Sequence, residues 1–449
     1  MKNAPLALAT APVGKLLAQY AVPAIIGMAA MSIYNITDSI FIGHGVGPPA
    51  LAGLTIAFPI MNLGAAFGAL VGVGSSALLS LRLGQKDYES ANYILGNVIT
   101  LNLIMGIALS IPVLIFLTPI LKFFGASDIV LPYARDFMII IVSGNVVIHS
   151  YMGLNSLIRS AGHPQKAMYA TILTVIINLI LNPLFIFVFG WGIRGSAFAT
   201  VISNFIVLIW EFYFFIDKSN FIHLKKGIYK LRSSIVAGIF SIGLAPFLLN
   251  SASCVVIILL NKAFVHYGGD LAVGAYGIVN RTAFLFVMII FGINQGMQPI
   301  AGYNYGAGLY PRVIAVLKKS IISAVIIMTA GFLIAEIFPH AVASMFSTQD
   351  ELIDMTVPGI RIVFMFYSFA AVQIVTSAFF QSIGKAYVSI LLSVSRQVIF
   401  LIPLILILPK FFGITGVWAS MPAADIMSFI ICAAMLRSEI KKLKSRAGA

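Results

Sequence analysis

The sequence predicts an all-α integral membrane protein: twelve transmembrane helices in two six-helix bundles, related by a pseudo-two-fold axis along the membrane normal. Three observations predict it. Of the 449 residues, 60% are hydrophobic and only 9% are charged, against roughly 25% charged in soluble domains. The apolar residues gather into runs long enough to cross a bilayer. The two halves of the chain also echo each other at a nearly fixed offset.

A crossing needs ~20 predominantly apolar residues. Twelve such runs lie between polar interruptions, near 16–42, 51–80, 94–118, 134–157, 167–189, 195–216, 235–261, 273–300, 316–338, 357–381, 388–409 and 413–436. Most loops between them are short, so consecutive helices are expected to be antiparallel neighbours. The first run is too long for a signal peptide and is expected to remain as a helix. Cys254 and Cys432 sit far apart inside apolar runs and read as small buried hydrophobes.

The formal net charge of +14 reflects topology rather than nucleic-acid binding. With the N-terminus inside, the inner segments hold 20 of the 28 basic residues, from Lys2 and Lys15 to Lys444 and Arg446. Seven fall on the outer side, and Arg396 lies within the eleventh run. This bias places both termini in the cytoplasm.

The repeat appears in three places. Leu83-Gly84-Gln85 after span 2 matches Tyr305-Gly306-Ala307 after span 8, and Arg159-Ser160-Ala161-Gly162 matches Gln381-Ser382-Ile383-Gly384, both at an offset of 222. Gly192-Ile193-Arg194-Gly195 matches Gly413-Ile414-Thr415-Gly416 at 221. Six spans per copy put both copies in the same orientation, a parallel repeat of the kind found in transporters. The expected organisation is a lobe at 1–216, a basic cytoplasmic linker at 217–234 and a second lobe at 235–449.

Several motifs carry a family resemblance over essentially the whole chain. They are Pro23 with Tyr34-Asn35-Ile36-Thr37-Asp38, Leu83-Gly84-Gln85, Asn155 to Gly162, and Asn178-Leu179-Ile180-Leu181-Asn182-Pro183. The later spans add Ser395-Arg396-Gln397, Ile402-Pro403-Leu404 and Pro422-Ala423-Ala424-Asp425. As a set they resemble the multidrug and toxic compound extrusion (MATE) family, in its DinF-like prokaryotic branch. The resemblance implies cation-coupled export of organic cations and other amphiphiles, by rocking of two lobes about a central cleft.

Ionisable residues within spans are costly and usually functional. Asp38 follows Tyr34 and Asn35 on span 1, downstream of Pro23, a kink position because proline removes a backbone donor. Burial favours the neutral form of a carboxyl group, so Asp38 is the expected coupling residue. Asn178 and Asn182, at i and i+4, share one face of span 5. Pro183 frees a carbonyl about one turn earlier. The resemblance implies a second carboxylate at Asn182. The amide here departs from it, leaves one formal charge and favours H⁺ over Na⁺. The resemblance adds Thr200, and Tyr34 and Asn155 complete the expected cation site. Arg396 and Asp425 lie at similar depth either side of a turn near Phe411, so adjacent antiparallel helices would pair them, as a structural ion pair or as part of a substrate path. The carboxylates implied for another branch are absent from spans 7 and 10. Asn250, Ser253, Asn280 and Gln373 are instead expected to line the cleft as neutral hydrogen-bonding groups.

The expected activity is secondary active export: organic cations or amphiphilic drugs exchanged for H⁺ or Na⁺. The expected location is the plasma (inner) membrane. Small-molecule substrates and the bilayer are the expected partners, the chain acting as a monomer without nucleic acid. No cofactor is expected, and no metal beyond a possible Na⁺ at the first-lobe site. The alternative is a lipid-linked oligosaccharide flippase of the same superfamily, which needs a strongly cationic cavity. An enzyme is not expected: His44, His149 and His340 are isolated and no nucleophile motif is present. Two large repeats suit alternating access better than a channel, and without a P-loop ATP is not the expected direct energy source.

Overall fold

Inside a bilayer every backbone N–H and C=O must be paired within the protein, and an unbroken helix does this locally. The computed structural model describes residues 4–448 of the chain. Among them all regular structure is helical; Lys2, counted above with the inner basic residues, lies outside them. Span 1 is Val13–Gly45, span 2 Pro48–Gly84 and span 3 Tyr88–Ile115. Span 4 is a pair, Leu131–Ser143 and Asn145–Ser160, bent by 53°. Span 5 is Pro164–Val188 and span 6 Gly192–Ile216. Spans 7 and 8 lie within Ser233–Gly306 and reverse at Gly269, whose φ of 71° and ψ of −172° no helix contains. Span 9 is Tyr310–Ile337. Span 10 is a second bent pair, Asp350–Phe364 and Tyr367–Ser382, at 52°. Spans 11 and 12 lie within Ala386–Ala447 and reverse at Gly413, with φ 56° and ψ −138°.

Among the described residues, eight helices are individually long and apolar enough to cross a membrane. Two of these, of 74 and 62 residues, are double-length and supply two crossings each, and the two bent pairs supply one each. The chain is therefore a multi-pass membrane protein of twelve crossings. Most of its helices begin before the apolar runs, and those of spans 1, 2 and 4 also continue past them. Polar ends are held by local chemistry: Asp87 caps span 3 by accepting from the Ser90 amide at 3.0 Å, and prolines open spans 2, 5 and 9, where a missing N–H costs nothing.

Two spans change register along their length. Span 5 turns π-helical over Leu184–Val188, directly after Pro183. Span 11 does so over Ser395–Leu401, two residues before Pro403. A proline removes one rung of the i→i−4 ladder, and a π turn re-registers the rest. The two segments occupy corresponding spans of the repeat.

The chain resolves into two compact units: residues up to Thr10 with Ile26–Phe247, and Ala11–Ile25 with Leu248–Ala449. The division does not follow 217–234. Pro23 lies two residues before the passage of span 1 from one unit to the other. In the first unit, the early part of span 7 packs on span 2 so closely that a Cβ at Gly243 would stand 1.8 Å from the Leu70 carbonyl oxygen. In the second, a Cβ at Gly292 or Gly296 would stand 2.4 Å and 2.6 Å from atoms of Ile25 and Ala21.

Residues 217–232 form an ordered strap on span 3. The side chain of Asn97 donates to the carbonyls of Ile228 and Lys230 at 3.3 and 3.1 Å and accepts from the Arg232 amide at 2.9 Å. Thr100 Oγ1 donates to Tyr229 O at 2.9 Å, and the Arg232 guanidinium lies 3.1 Å from the centre of the Tyr93 ring.

Candidate cation-coupling site

The site is built from three residue pairs, each spaced i, i+4 and so each on one face of its helix. Span 1 contributes Tyr34 and Asp38, span 5 Asn178 and Asn182, and span 6 Ser196 and Thr200. They form two rungs. In the first, Asp38 Oδ1 accepts from Asn182 Nδ2 and from Ser196 Oγ, both at 2.5 Å. In the second, the Tyr34 hydroxyl and Thr200 Oγ1 share a hydrogen bond of 2.8 Å, and Asn178 Nδ2 approaches Thr200 Oγ1 at 3.5 Å. Asp38 is only 7% exposed, Asn178 1% and Asn182 fully buried. A core of Ile42, Ala57, Leu121, Phe137 and Ile193 packs at the same end of the bundle.

Asp38 has no basic partner within salt-bridge distance among the described residues. Its charge is met by two neutral donors. Asn182 Oδ1 is buried with no hydrogen-bond partner, which leaves a second oxygen beside the carboxylate. No group of three His, Cys, Asp or Glu side chains suited to a metal occurs among the described residues. Any cation here would meet one carboxylate and neutral oxygens.

Five of the six expected members, Tyr34, Asp38, Asn178, Asn182 and Thr200, come together. Asn155 does not. Its Nδ2 donates to Ala167 O at 3.0 Å and to Glu211 Oε1 at 3.2 Å, and its Oδ1 accepts from Arg159 at 3.1 Å. It therefore serves a separate polar cluster near the other end of the unit, because it lies five residues before the end of span 4. Sequence reasoning missed Ser196, although its position one turn before Thr200 marks the same face. It also missed Glu211, a lone carboxylate within an apolar run.

In the second unit, Arg396 Nε donates to Asp425 Oδ1 at 2.5 Å. The intervening reversal is at Gly413, two residues beyond the expected turn, and it does bring the pair to one depth. Gln373 does not stand ready to line a cleft: it is 4% exposed and donates to the Leu392 carbonyl at 2.8 Å. Ser253 donates to Leu249 O and accepts from Gln397 Nε2 at 3.3 Å. Asn250 and Asn280 are exposed. The carboxylate of the first unit is not duplicated, since the repeat offset carries Asp38 to Leu260. One turn on, Phe264 packs on Trp418 and Tyr276, with ring centres 4.4 and 5.0 Å apart.

A MatE family model matches residues 23–184 and 242–407, one segment in each half. The chain belongs to the MATE family. Similar proteins include the multidrug export protein MepA of Staphylococcus haemolyticus (strain JCSC1435), 25% identical over 417 residues, which covers 93% of this MATE chain and 92% of the relative. MepA of Staphylococcus aureus (strain NCTC 8325 / PS 47) is 26% identical over 429 residues, covering 95% and 93%. Among solved structures, an outward-facing multidrug resistance MATE family transporter of the MOP superfamily matches with a TM-score of 0.92 at 24% identity, over 98% of both chains. A MOP superfamily transporter from Pyrococcus furiosus matches with a TM-score of 0.91 over the same shares. These likenesses establish the MATE fold across the whole chain.

Proposed function

We propose that this protein is a secondary active multidrug exporter, antiporting organic cations and amphiphilic drugs against H⁺ or Na⁺ by alternating access. The observation that carries the proposal is the isolation of Asp38: one buried carboxylate, held by neutral donors, on a helix that begins in the other unit. The MepA relatives, named for multidrug export, supply the substrate class. The basic-residue bias supports insertion in the plasma membrane with both termini in the cytoplasm, the chain acting as a monomer.

The two rungs provide the chemistry. Ionised Asp38 accepts from Asn182 and Ser196. A proton on Asp38 removes the charge to which those donors point and creates a new O–H. The Asn182 amide, turned over, accepts it through Oδ1. A Na⁺ ion would require the oxygens of Asp38, Asn182 and the second rung together. With one formal charge available, the donor set favours H⁺. Loading and release then change the packing between spans 1, 5 and 6. The flippase alternative requires uncompensated cations, whereas half-buried Arg396 is neutralised by Asp425.

The test is ethidium efflux from energised vesicles, with H⁺ and Na⁺ gradients imposed separately. One of the two drives efflux, and Asp38→Asn abolishes it at unchanged expression. Full efflux in that variant overturns the role of Asp38. No response of folded wild-type protein to either gradient overturns antiport and favours the lipid flippase.

A further inference from the structure

The two rungs account for one buried carboxylate of the first unit and leave another, Glu211, unexplained. It lies on span 6 about four turns beyond Ser196, ~22 Å along the helix axis. It is fully buried. Oε1 accepts from Asn155, and Oε2 has no hydrogen-bond partner. Arg159 does not pair with it directly; Asn155 stands between them, donating to one and accepting from the other.

Apart from Arg159, the neighbours carry little compensating charge. From span 4 the facing groups are Arg159 and Tyr151. From span 5, His163 and Lys166 are engaged with the Phe214 ring, at 5.1 and 4.6 Å between centres and to the ring centre. At the foot of span 6, Asp217 is exposed and bonded to Ser219, and His223 is turned to the Asn220 carbonyl. The second unit offers a contrast. Near the corresponding end of its last span, Glu439 is closed directly by Lys385 at 2.5 Å. A carboxylate kept for structure is finished in that way, because a bare charge inside a membrane protein is costly. Glu211 is given an amide and a free oxygen.

A polar stripe lies between the two carboxylates. Thr171, Thr174, Asn178 and Asn182 fall on one side of span 5 at helical spacing. Thr171 lies at 3.5 Å from the Tyr151 hydroxyl, one turn from Asn155; Asn182 reaches Asp38. We propose that Glu211 is a second proton-binding site of the first unit, taking the proton on Oε2, with the span 5 stripe as the route between it and Asp38. Only the transfer between the sites rests on the antiport reading; proton binding at Glu211 does not. Loading adds one O–H bond at Oε2 and removes one negative charge, and release reverses both.

The experiment is infrared difference spectroscopy of the full chain in lipid nanodiscs over a pH titration. It compares wild type, Glu211→Gln and Asp38→Asn, and wild type labelled with ¹³C-carboxyl glutamate. The expected result is a protonated-carboxyl band that appears on acidification, is displaced by the glutamate label, persists in Asp38→Asn and vanishes in Glu211→Gln. The labelled wild type, read above about pH 6, where ordinary exposed carboxyl groups are ionised, keeps the test valid if Glu211→Gln does not fold. In vesicles, Glu211→Gln should slow proton-driven efflux at least tenfold while leaving ethidium binding intact. Absence of any label-sensitive band above about pH 6 overturns the proposal even if a proton gradient drives efflux. A label-sensitive band above about pH 6 without gradient-driven efflux keeps the Glu211 site and removes antiport. A Glu211→Gln variant that transports at the wild-type rate removes the route.

Discussion

Replacing Asn97 by alanine tests whether the strap at 217–232 is held by one side chain. Asn97 is fully buried, and all three of its bonds to the strap are made to backbone atoms, at 3.3, 3.1 and 2.9 Å. Its bond to Tyr93 O, at 2.9 Å, stays within span 3. Its Nδ2 has two hydrogens for three acceptors, so the Ile228 and Lys230 carbonyls share one of them; at about 1 kcal/mol net for each bond, the strap loses ~2 kcal/mol of local stability. At 1.4 kcal/mol per factor of ten, that is about a thirtyfold rise in local opening. The strap is loosened rather than freed, because Thr100 still holds Tyr229 and Arg232 still lies on Tyr93 and reaches Glu89 at 3.3 Å. Hydrogen exchange read by mass spectrometry reports this opening directly. Peptides covering 217–232 should exchange about thirtyfold faster in Asn97→Ala and about fivefold faster in Thr100→Val, which loses one bond. Exchange in the spans should not change. Strap peptides that exchange at the wild-type rate in a folded Asn97→Ala protein would refute the reasoning.

Three further outcomes follow from the packing and the charges. Arg396→Met or Asp425→Leu alone leaves a charge without its partner and should lower thermal stability by about 3–5 kcal/mol, whereas the double variant should regain most of the loss; a double variant as unstable as the summed singles would show that the pair is not coupled. Gly243→Ala should cost about 3 kcal/mol through overpacking, since its Cβ would meet backbone, while Gly277→Ala, with nothing within 4 Å of the new Cβ, should be tolerated; equal melting temperatures would contradict the close span 2–span 7 crossing. Asp87→Ala should cost about 1 kcal/mol as a lost helix cap. Partial burial opposes ionisation of Asp87, but hydrogen bonds from Ser90 and the nearby Arg82 and Arg232 charges hold its carboxyl below the ordinary range. A depressed native value stabilises above the unfolded pKa of about 3.9, so the deficit should be full at neutral pH and close as the pH falls below it. A deficit that grows on acidification would reverse that sign.

The crossings were legible because bilayer thickness imposes a run length on the sequence. Their ends were not, since helices continue into polar ground on caps such as Asp87 and opening prolines. The bends in spans 4 and 10 and the π turns left no length signal, although Pro183 and Pro403 mark both π turns. In the site, a carboxylate and two amides one turn apart were readable from helical spacing alone. Asn155 was misplaced because spacing along one helix says which face a side chain shares, not which neighbour it meets. Ser196 was overlooked because serine is common in spans and gains meaning only beside Asp38. The Arg396–Asp425 pair was readable because an antiparallel hairpin converts sequence distance from the turn into depth.

Span 1 changes hands after Ile25, and span 7 changes hands in the opposite sense after Phe247. Each repeat has therefore lent the opening stretch of its first helix to the other. A gene split within the strap would yield two polypeptides, each carrying a stretch whose packing surface is encoded by its sibling. Neither product would hold a complete fold by itself, and co-expression would be needed to recover either one. Fusion of two equivalent half-genes would meet the same requirement in reverse. Such an arrangement ties the two copies of the duplication together in heredity, since neither can be replaced without its counterpart's matching glycine face.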